Sequence, residues 1–151
     1  MANTQAMCTS FKGELLVGHH NFGTGVTRAS TAADSFKAAL YLATATVNAS
    51  TTAYSSTNEV SGTNYTAGGV AVTFGTAPST SGTTAFVTPS ARITYSSVTL
   101  STAFDAVLIY NSTQSNKAVS VHTFGSQTVT AGTFTLTMPV NDASTGLIRL
   151  A

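Results

Sequence analysis

The chain is expected to fold as a single all-β domain over residues 1–151, an antiparallel β-sandwich of jelly-roll or immunoglobulin-like kind with at most one or two short helices. Three observations lead there. Apolar residues recur with a period of two, strand-sized runs return every ten to fifteen residues with Gly, Ser, Asn or Pro between them, and no helical heptad or internal repeat competes. A chain of 151 residues is also long enough to bury roughly 70% of the surface that it exposes when unfolded, so its core needs no staples.

The elements follow in order. Residues 1–10 read as a candidate extended N-terminal arm. The segment "STAADSFKAALYLATA" is the most divided: Ser30 or Thr31 caps a helix carrying Phe36, Leu40 and Ala43 at helical spacing, while Phe36, Ala38, Leu40 and Leu42 also fit one face of a strand. A strand from about Phe36 to Val47 is the better reading. "STTAYSSTNEV", with Ser50 or Thr51 as cap, is the best place for a short helix. In "VAVTF" Val70, Val72 and Phe74 share a face, and in "TFTLTM" Phe134, Leu136 and Met138 alternate with threonines, so both read as half-buried strands. In "RITYSSVTL" the phase slips: Ile93 and Tyr95 are out of step with Val98 and Leu100. A bulge at Ser96-Ser97 would return all four to the core. "AFDAVLIYN" is apolar on both faces and suits a central strand, with "KAVSVHTF" and "GLIRLA" as further short strands.

Composition removes several functions. Only 7% of residues are charged, six Lys and Arg stand against five Asp and Glu, and Ser and Thr make up nearly a third of the chain. Without a basic cluster there is no field to gather phosphates, so nucleic acid is not an expected partner. No apolar run approaches the 18 or so residues that would span a membrane, and the N-terminus lacks the basic start and apolar run of a secretory signal, so synthesis in a cytoplasm is expected. A single cysteine, Cys8, forms no intrachain disulfide and reads as a small buried apolar residue. Asn48, Asn64 and Asn111 open N-x-Ser/Thr triplets, about as many as chance supplies in a chain so rich in Ser and Thr.

Candidate chemistry is sparse. The glycine-rich stretch "EVSGTNYTAGGVAVTFGTA" has neither the Lys-Ser/Thr pair of a phosphate loop nor the spacing of a dinucleotide fingerprint; its glycines read as chain reversals in a structured loop outside the core. His19 and His20 are adjacent and followed by Asn21, but neighbouring side chains on an extended backbone point apart, so the pair reads as a solvated loop, or as residues meeting on the axis of a symmetric oligomer. Asp105, His122 and a nearby Ser make a triad only on paper, without a G-x-S-x-G elbow. Glu14, Asp34, Glu59, Asp105 and Asp142 are scattered singly, which offers neither paired catalytic carboxylates nor a calcium loop. The five tyrosines are spread along the chain and Trp is absent, which weakens a sugar-stacking module. The chain is therefore expected not to be an enzyme, with no catalytic, cofactor-binding or metal residue assigned and no cofactor.

Three pieces, "ALYLATATVNASTTAYSSTNEVSGTNYTAGGVAVTF", "FDAVLIYNSTQSNKAV" and "FGSQTVTAGTFTLTMPVNDASTGLIRLA", resemble small virion proteins of tailed bacteriophages. Together they span most of residues 36–151. The shared features are an apolar strand, a Tyr-x-x-x-Asn-Glu-Val-Ser-Gly-x-x-Tyr-x-x-Gly-Gly segment and a threonine-alternating C-terminal hairpin. The resemblance implies a capsid decoration (cement) protein on the outer surface of the head. Its partners would be the major capsid protein and further copies of itself, a trimer being favoured, after synthesis in the host bacterial cytoplasm. The alternative is a tail, fibre or baseplate component, touching host surface glycans. No functional residue is carried across.

Overall fold

The computed structural model describes residues 3–8, 11, 15, 18–20, 22–24 and 33–150. Its strands are β1 (Ala6–Met7), β2 (Phe36–Leu42), β3 (Val70–Val72), β4 (Ser79–Ser81), β5 (Thr84–Val87), β6 (Ile93–Asn111), β7 (Lys117–Leu136) and β8 (Ile148–Leu150). They form a five-stranded sheet in the order β1-β7-β6-β2-β3 and a three-stranded sheet in the order β4-β5-β8, antiparallel throughout. The all-β expectation of two antiparallel sheets holds. The small sheet joins the common core through Val87 and Ile148.

β6 occupies the centre because "AFDAVLIYN" can be covered on both sides. Ala38 and Leu40 pair with Ile109 and Val107 on one face, while Ala39 and Tyr41 pair with Leu108 and Ala106 on the other, and residues 106–111 are at most 2% exposed. β6 and β7 form a hairpin of 19 and 20 residues. Its register slips between Tyr95 and Val98, where Ser97 takes φ +53°, and Ile93, Tyr95, Val98 and Leu100 are all buried. The extra residue compensates for the phase change. Phe134, Leu136 and Met138 alternate, half-buried, with exposed Thr135 and Thr137, as their pattern requires.

Two segments differ from expectation. The strand starting at Phe36 stops at Leu42 rather than Val47, because the chain turns there, with Ala45 N donating to Leu42 O at 2.8 Å. The candidate cap residues Ser30 and Thr31 lie outside the described residues. Residues 50–60 form turns and bridges instead of a helix: Asn48 Oδ1 accepts from Ser50 N and Thr51 Oγ1 accepts from Asn48 N, local bonds that compete with helix formation. Thr52 to Tyr54 then run beside the start of β7, through Ala118 N to Thr52 O and Tyr54 N to Asn116 O. The described part of the candidate arm, residues 3–8, runs along the domain. β1 pairs with Ser120 and Val121, and Asn3 donates to Leu42 O while accepting from Val47 N.

Candidate functional site

The densest polar cluster in the described residues is built by the glycine-rich segment. Leu42 N donates to Asn58 O and Val60 N to Leu40 O, both at 3.0 Å, so residues 58–60 extend the sheet along β2 beyond the reach of β3. Glu59 bridges to Tyr41 and shares its face. Glu59 as a whole is 9% exposed. Its Oε1 accepts from Tyr65 Oη at 2.7 Å and Gly68 N at 2.8 Å, and its Oε2 from Tyr54 Oη at 2.7 Å.

All five tyrosines of the chain gather around this group. Tyr65 Oη also accepts Leu40 N–H at 3.0 Å, filling the gap in the β2 ladder between β3 and residue 59. Tyr110 Oη donates to Gly68 O and Tyr95 Oη to Ala38 O, each at 2.8 Å, and Tyr41 Oη donates to Ser55 O at 2.5 Å. Tyr54 stacks on Tyr110 with ring centroids 4.7 Å apart, and Tyr65 on Tyr95 at 5.9 Å. The backbone is shaped to allow this. Asn58, Asn64, Gly68 and Gly69 take left-handed φ, which Gly and Asn tolerate best. A Cβ on Gly69 would stand 1.6 Å from Ala38 O, and one on Gly62 2.0 Å from Thr99 O. The tip of the segment rests on the β6 bulge, with Thr99 N donating to Thr63 O and Asn64 Nδ2 to Ser97 O.

Burial pushes all five phenols up from their ordinary value. For Tyr54 and Tyr65 the hydrogen bond to Glu59 adds to it, for Tyr95 and Tyr110 the nearby Glu59 charge does, and Tyr41 reaches about 12 by burial, with the Ser55 bond opposing and the Glu59 charge assisting. The phenols therefore stay protonated as donors at neutral pH. The segment does hold an anion, as glycine-rich loops can, but the anion is the protein's own Glu59. The segment's expected place outside the core holds for residues 61–67, which are exposed apart from half-buried Tyr65, and is corrected at both ends, where Glu59, Val60, Gly68 and Gly69 are buried.

Of the adjacent histidines, His19 is half-buried and His20 differs from the reading as a solvated loop. His20 is 8% exposed, packs edge-on to Phe11 at 4.7 Å and meets Asn111 Nδ2 through Nδ1 at 3.1 Å; Asn21 lies outside the described residues. Asn111 is fully buried. Its Oδ1 accepts from Thr113 N and Gln114 N, and its Nδ2 donates to Asp34 Oδ2 at 2.7 Å. That orientation makes Nδ1 of His20 an acceptor and places its ring proton on Nε2. Burial also removes Asn111 from consideration as a glycan acceptor.

The paper triad divides. Asp105 accepts a hydrogen bond from Asn3 Nδ2, His122 Nε2 meets Ser120 Oγ at 2.9 Å, and no bond joins Asp105 to His122 among the described residues. Burial pulls His122 down to about 4, so its ring is uncharged at neutral pH. Cys8 is fully buried, with Sγ 3.9 Å from Asn48 O. Among the described residues no group of three His, Cys, Asp or Glu is placed to hold a metal ion, and no helix is long and apolar enough to cross a membrane.

No family model, curated protein or solved structure matches the chain. The tyrosine ring was the feature that sequence reasoning missed. Its one local signal was Glu59, the only carboxylate between Asp34 and Asp105, flanked by Tyr54 and Tyr65.

Proposed function

We propose that this chain is a structural virion protein of a tailed bacteriophage, a decoration protein that binds the outer surface of the head as a homo-oligomer and bridges major capsid subunits. The observation that carries the reading is that the fold's polar chemistry is turned inward. Tyr54 and Tyr65 satisfy Glu59, while Tyr41, Tyr95 and Tyr110 give their hydroxyls to backbone carbonyls, and Asn111 spends its amide on His20, Asp34 and its own turn. What faces outward is neutral and hydroxyl-rich, with 7% of the chain charged. Such a surface works by shape, apolar burial and backbone pairing rather than by steering or ion pairs. The resemblance of the three segments to small phage virion proteins supplies the setting, and synthesis in the bacterial cytoplasm with final residence on the particle follows from it.

The test is a pull-down of purified full-length protein with expanded tailless heads and, separately, with isolated tails, in low and high salt. The full chain is needed because Asn3 and β1 are tied to β2 and β7, so trimming them would weaken the fold along with any contact. Binding to heads that persists in high salt is expected. Co-purification with tails alone would replace the head reading with a tail, fibre or baseplate one, and binding to neither would remove the virion reading.

A further inference from the structure

We propose that His122 and the connection that covers it, residues 137–147, form an acid-operated latch, closed over the large sheet while the imidazole is neutral and lifted from it when the ring takes up a proton. The device rests on the isolated fold and stands apart from the virion reading.

Its first part is a polar ring in an apolar place. His122 lies opposite Val107 in the β6–β7 ladder and lines a gap of about 140 Å³ beneath the connection to β8. β6 contributes Ile93, Val107 and Ile109 to this gap, β7 contributes Phe124 and Leu136, and the connection contributes Met138 and Leu147. Apart from His122, none of the residues lining it titrates. Ser120 Oγ meets His122 Nε2 at 2.9 Å, but a hydroxyl brings no charge to balance an imidazolium. The ionised groups on the neighbouring elements are turned elsewhere. On β6, Asp105 accepts from Asn3; in the connection, Asp142 Oδ1 accepts from Ser144 N and Thr145 N; on β8, Arg149 donates to Ala143 O and Ser144 O. Arg92, just before β6, lines a separate cleft with Pro89 and Asn141. The gap therefore suits a neutral ring and penalises a charged one, and this burial is what pulls His122 from its ordinary 6.5 down to about 4.

The second part is a cover that can give way before the sheet does. Among the described residues the hydrogen bonds of 137–146 stay within the connection or go to Arg149 in the adjoining β8: Asp142 N donates to Val140 O and Gly146 N to Asp142 O, beside the Asp142 side-chain turn. Only at Leu147, whose N–H goes to Thr88 Oγ1 at 2.9 Å, is it bonded further afield. Met138 and Leu147 hold the rest down by packing on the gap. β6 and β7, in contrast, are joined by a ladder that runs from Ile93 and Leu136 to Asn111 and Lys117. Lifting the connection admits water to the ring and leaves that ladder intact, so it is the least costly way to accommodate the proton. The lifted form shows Ile93, Val107 and Phe124, an apolar surface that the neutral form keeps covered.

The direction of the pH dependence follows. In the open form the ring titrates near its ordinary value, about 6.5. The closed form is fully favoured above that pH, and its ratio to the open form falls by up to about tenfold per pH unit from about 6.5 down to about 4, because the open form binds more protons.

Nuclear magnetic resonance on the full chain, titrated across that range, tests the latch through the His122 ring and the Met138 methyl, with far-UV circular dichroism alongside. The two signals should move together with one midpoint between about pH 4 and 6.5 while the dichroism stays constant. In His122→Gln, which is neutral throughout, the Met138 methyl should stay in place. Each of four results would overturn the proposal: a His122 ring that titrates with Met138 unmoved, a Met138 shift that follows the His20 ring or persists in His122→Gln, loss of the dichroism in the same step, or neither signal moving down to about pH 4. The ring signal can be assigned in the unaltered protein by its proximity to Ser120 and Val107, so the coincidence of the two signals decides the matter even where the glutamine variant folds poorly. Head binding at neutral pH is not affected by the outcome.

Discussion

The tripeptide Thr-Ala-Gly occurs twice, at residues 66–68 and 130–132, and does opposite work in the two places. In the first, Gly68 takes φ +88° and lends its N–H to Glu59 and its C=O to Tyr110, inside a buried ring of phenols. In the second, Ala131 takes the left-handed turn, at φ +47°, its N–H goes to Thr99 Oγ1 at 3.0 Å, and the chain continues as β7. The difference lies in what each copy faces. The first has a buried carboxylate that must be satisfied and, at the next residue, Gly69, a β2 backbone too close for any Cβ; the second has a strand on one side and open space on the other. Glycine is required in the first region and merely tolerated in the second.

Substitutions that fill the first region should therefore do the most damage. Gly69→Ala would place a methyl 1.6 Å from Ala38 O at a residue with φ +73°, combining overpacking against backbone with a left-handed Cβ. The expected loss is about 4 kcal/mol, a fall of roughly 10 °C in melting temperature for a domain of this size. A drop of only a degree or two would show that the loop does not press on β2.

Glu59→Gln comes next. The amide keeps the volume but brings a donor into a site where Tyr54, Tyr65 and Gly68 already donate. At least one of these is left facing another donor, at a cost of about 2–3 kcal/mol. The same ring predicts alkaline behaviour. In the unfolded chain phenols release their protons near pH 10, whereas the folded chain holds them to higher pH, to about 12 for Tyr41. Stability is then full below about pH 10 and falls as pH rises above it, because the unfolded state binds fewer protons. With no Trp in the chain, phenolate absorbance reports this cleanly. It should appear in one step together with unfolding, and at lower pH in Glu59→Gln. Five independent ionisations near pH 10 with the fold intact would mean that the ring is open to water.

Much of the frame was legible because a period of two is a local property. The slip at Ser96-Ser97 could be read from four apolar residues and proved to be a bulge; the doubly apolar run from Ala103 to Asn111 could be placed at the centre without knowing its neighbours. The ring was not legible, because Tyr41, Tyr95 and Tyr110 come from strands separated by more than fifty residues and meet only once β2 and β6 pair. The same holds for His20, whose partner Asn111 lies 91 positions away, so that two adjacent histidines read in isolation look solvated. Residues 50–60 misled for the converse reason. Their Ser and Thr suit a helix cap, and they suit turn bonds equally, and only the neighbouring start of β7 decides between the two.

The smallest expected effect is the one that completes the comparison. Gly125 lies on the exposed part of β7, its φ is not left-handed, and a Cβ there would meet nothing within 4 Å. Gly125→Ala removes freedom from the unfolded chain without straining the folded one. It should therefore leave stability unchanged or raise it by up to about 0.5–1 kcal/mol. Measured by chemical denaturation beside Gly69→Ala, the two variants should differ by about 4 kcal/mol or more, although each makes the same exchange of hydrogen for methyl. If Gly125→Ala destabilises the protein as much as Gly69→Ala does, this part of β7 is held by contacts that its open surroundings do not suggest, and the division between required and tolerated glycines fails.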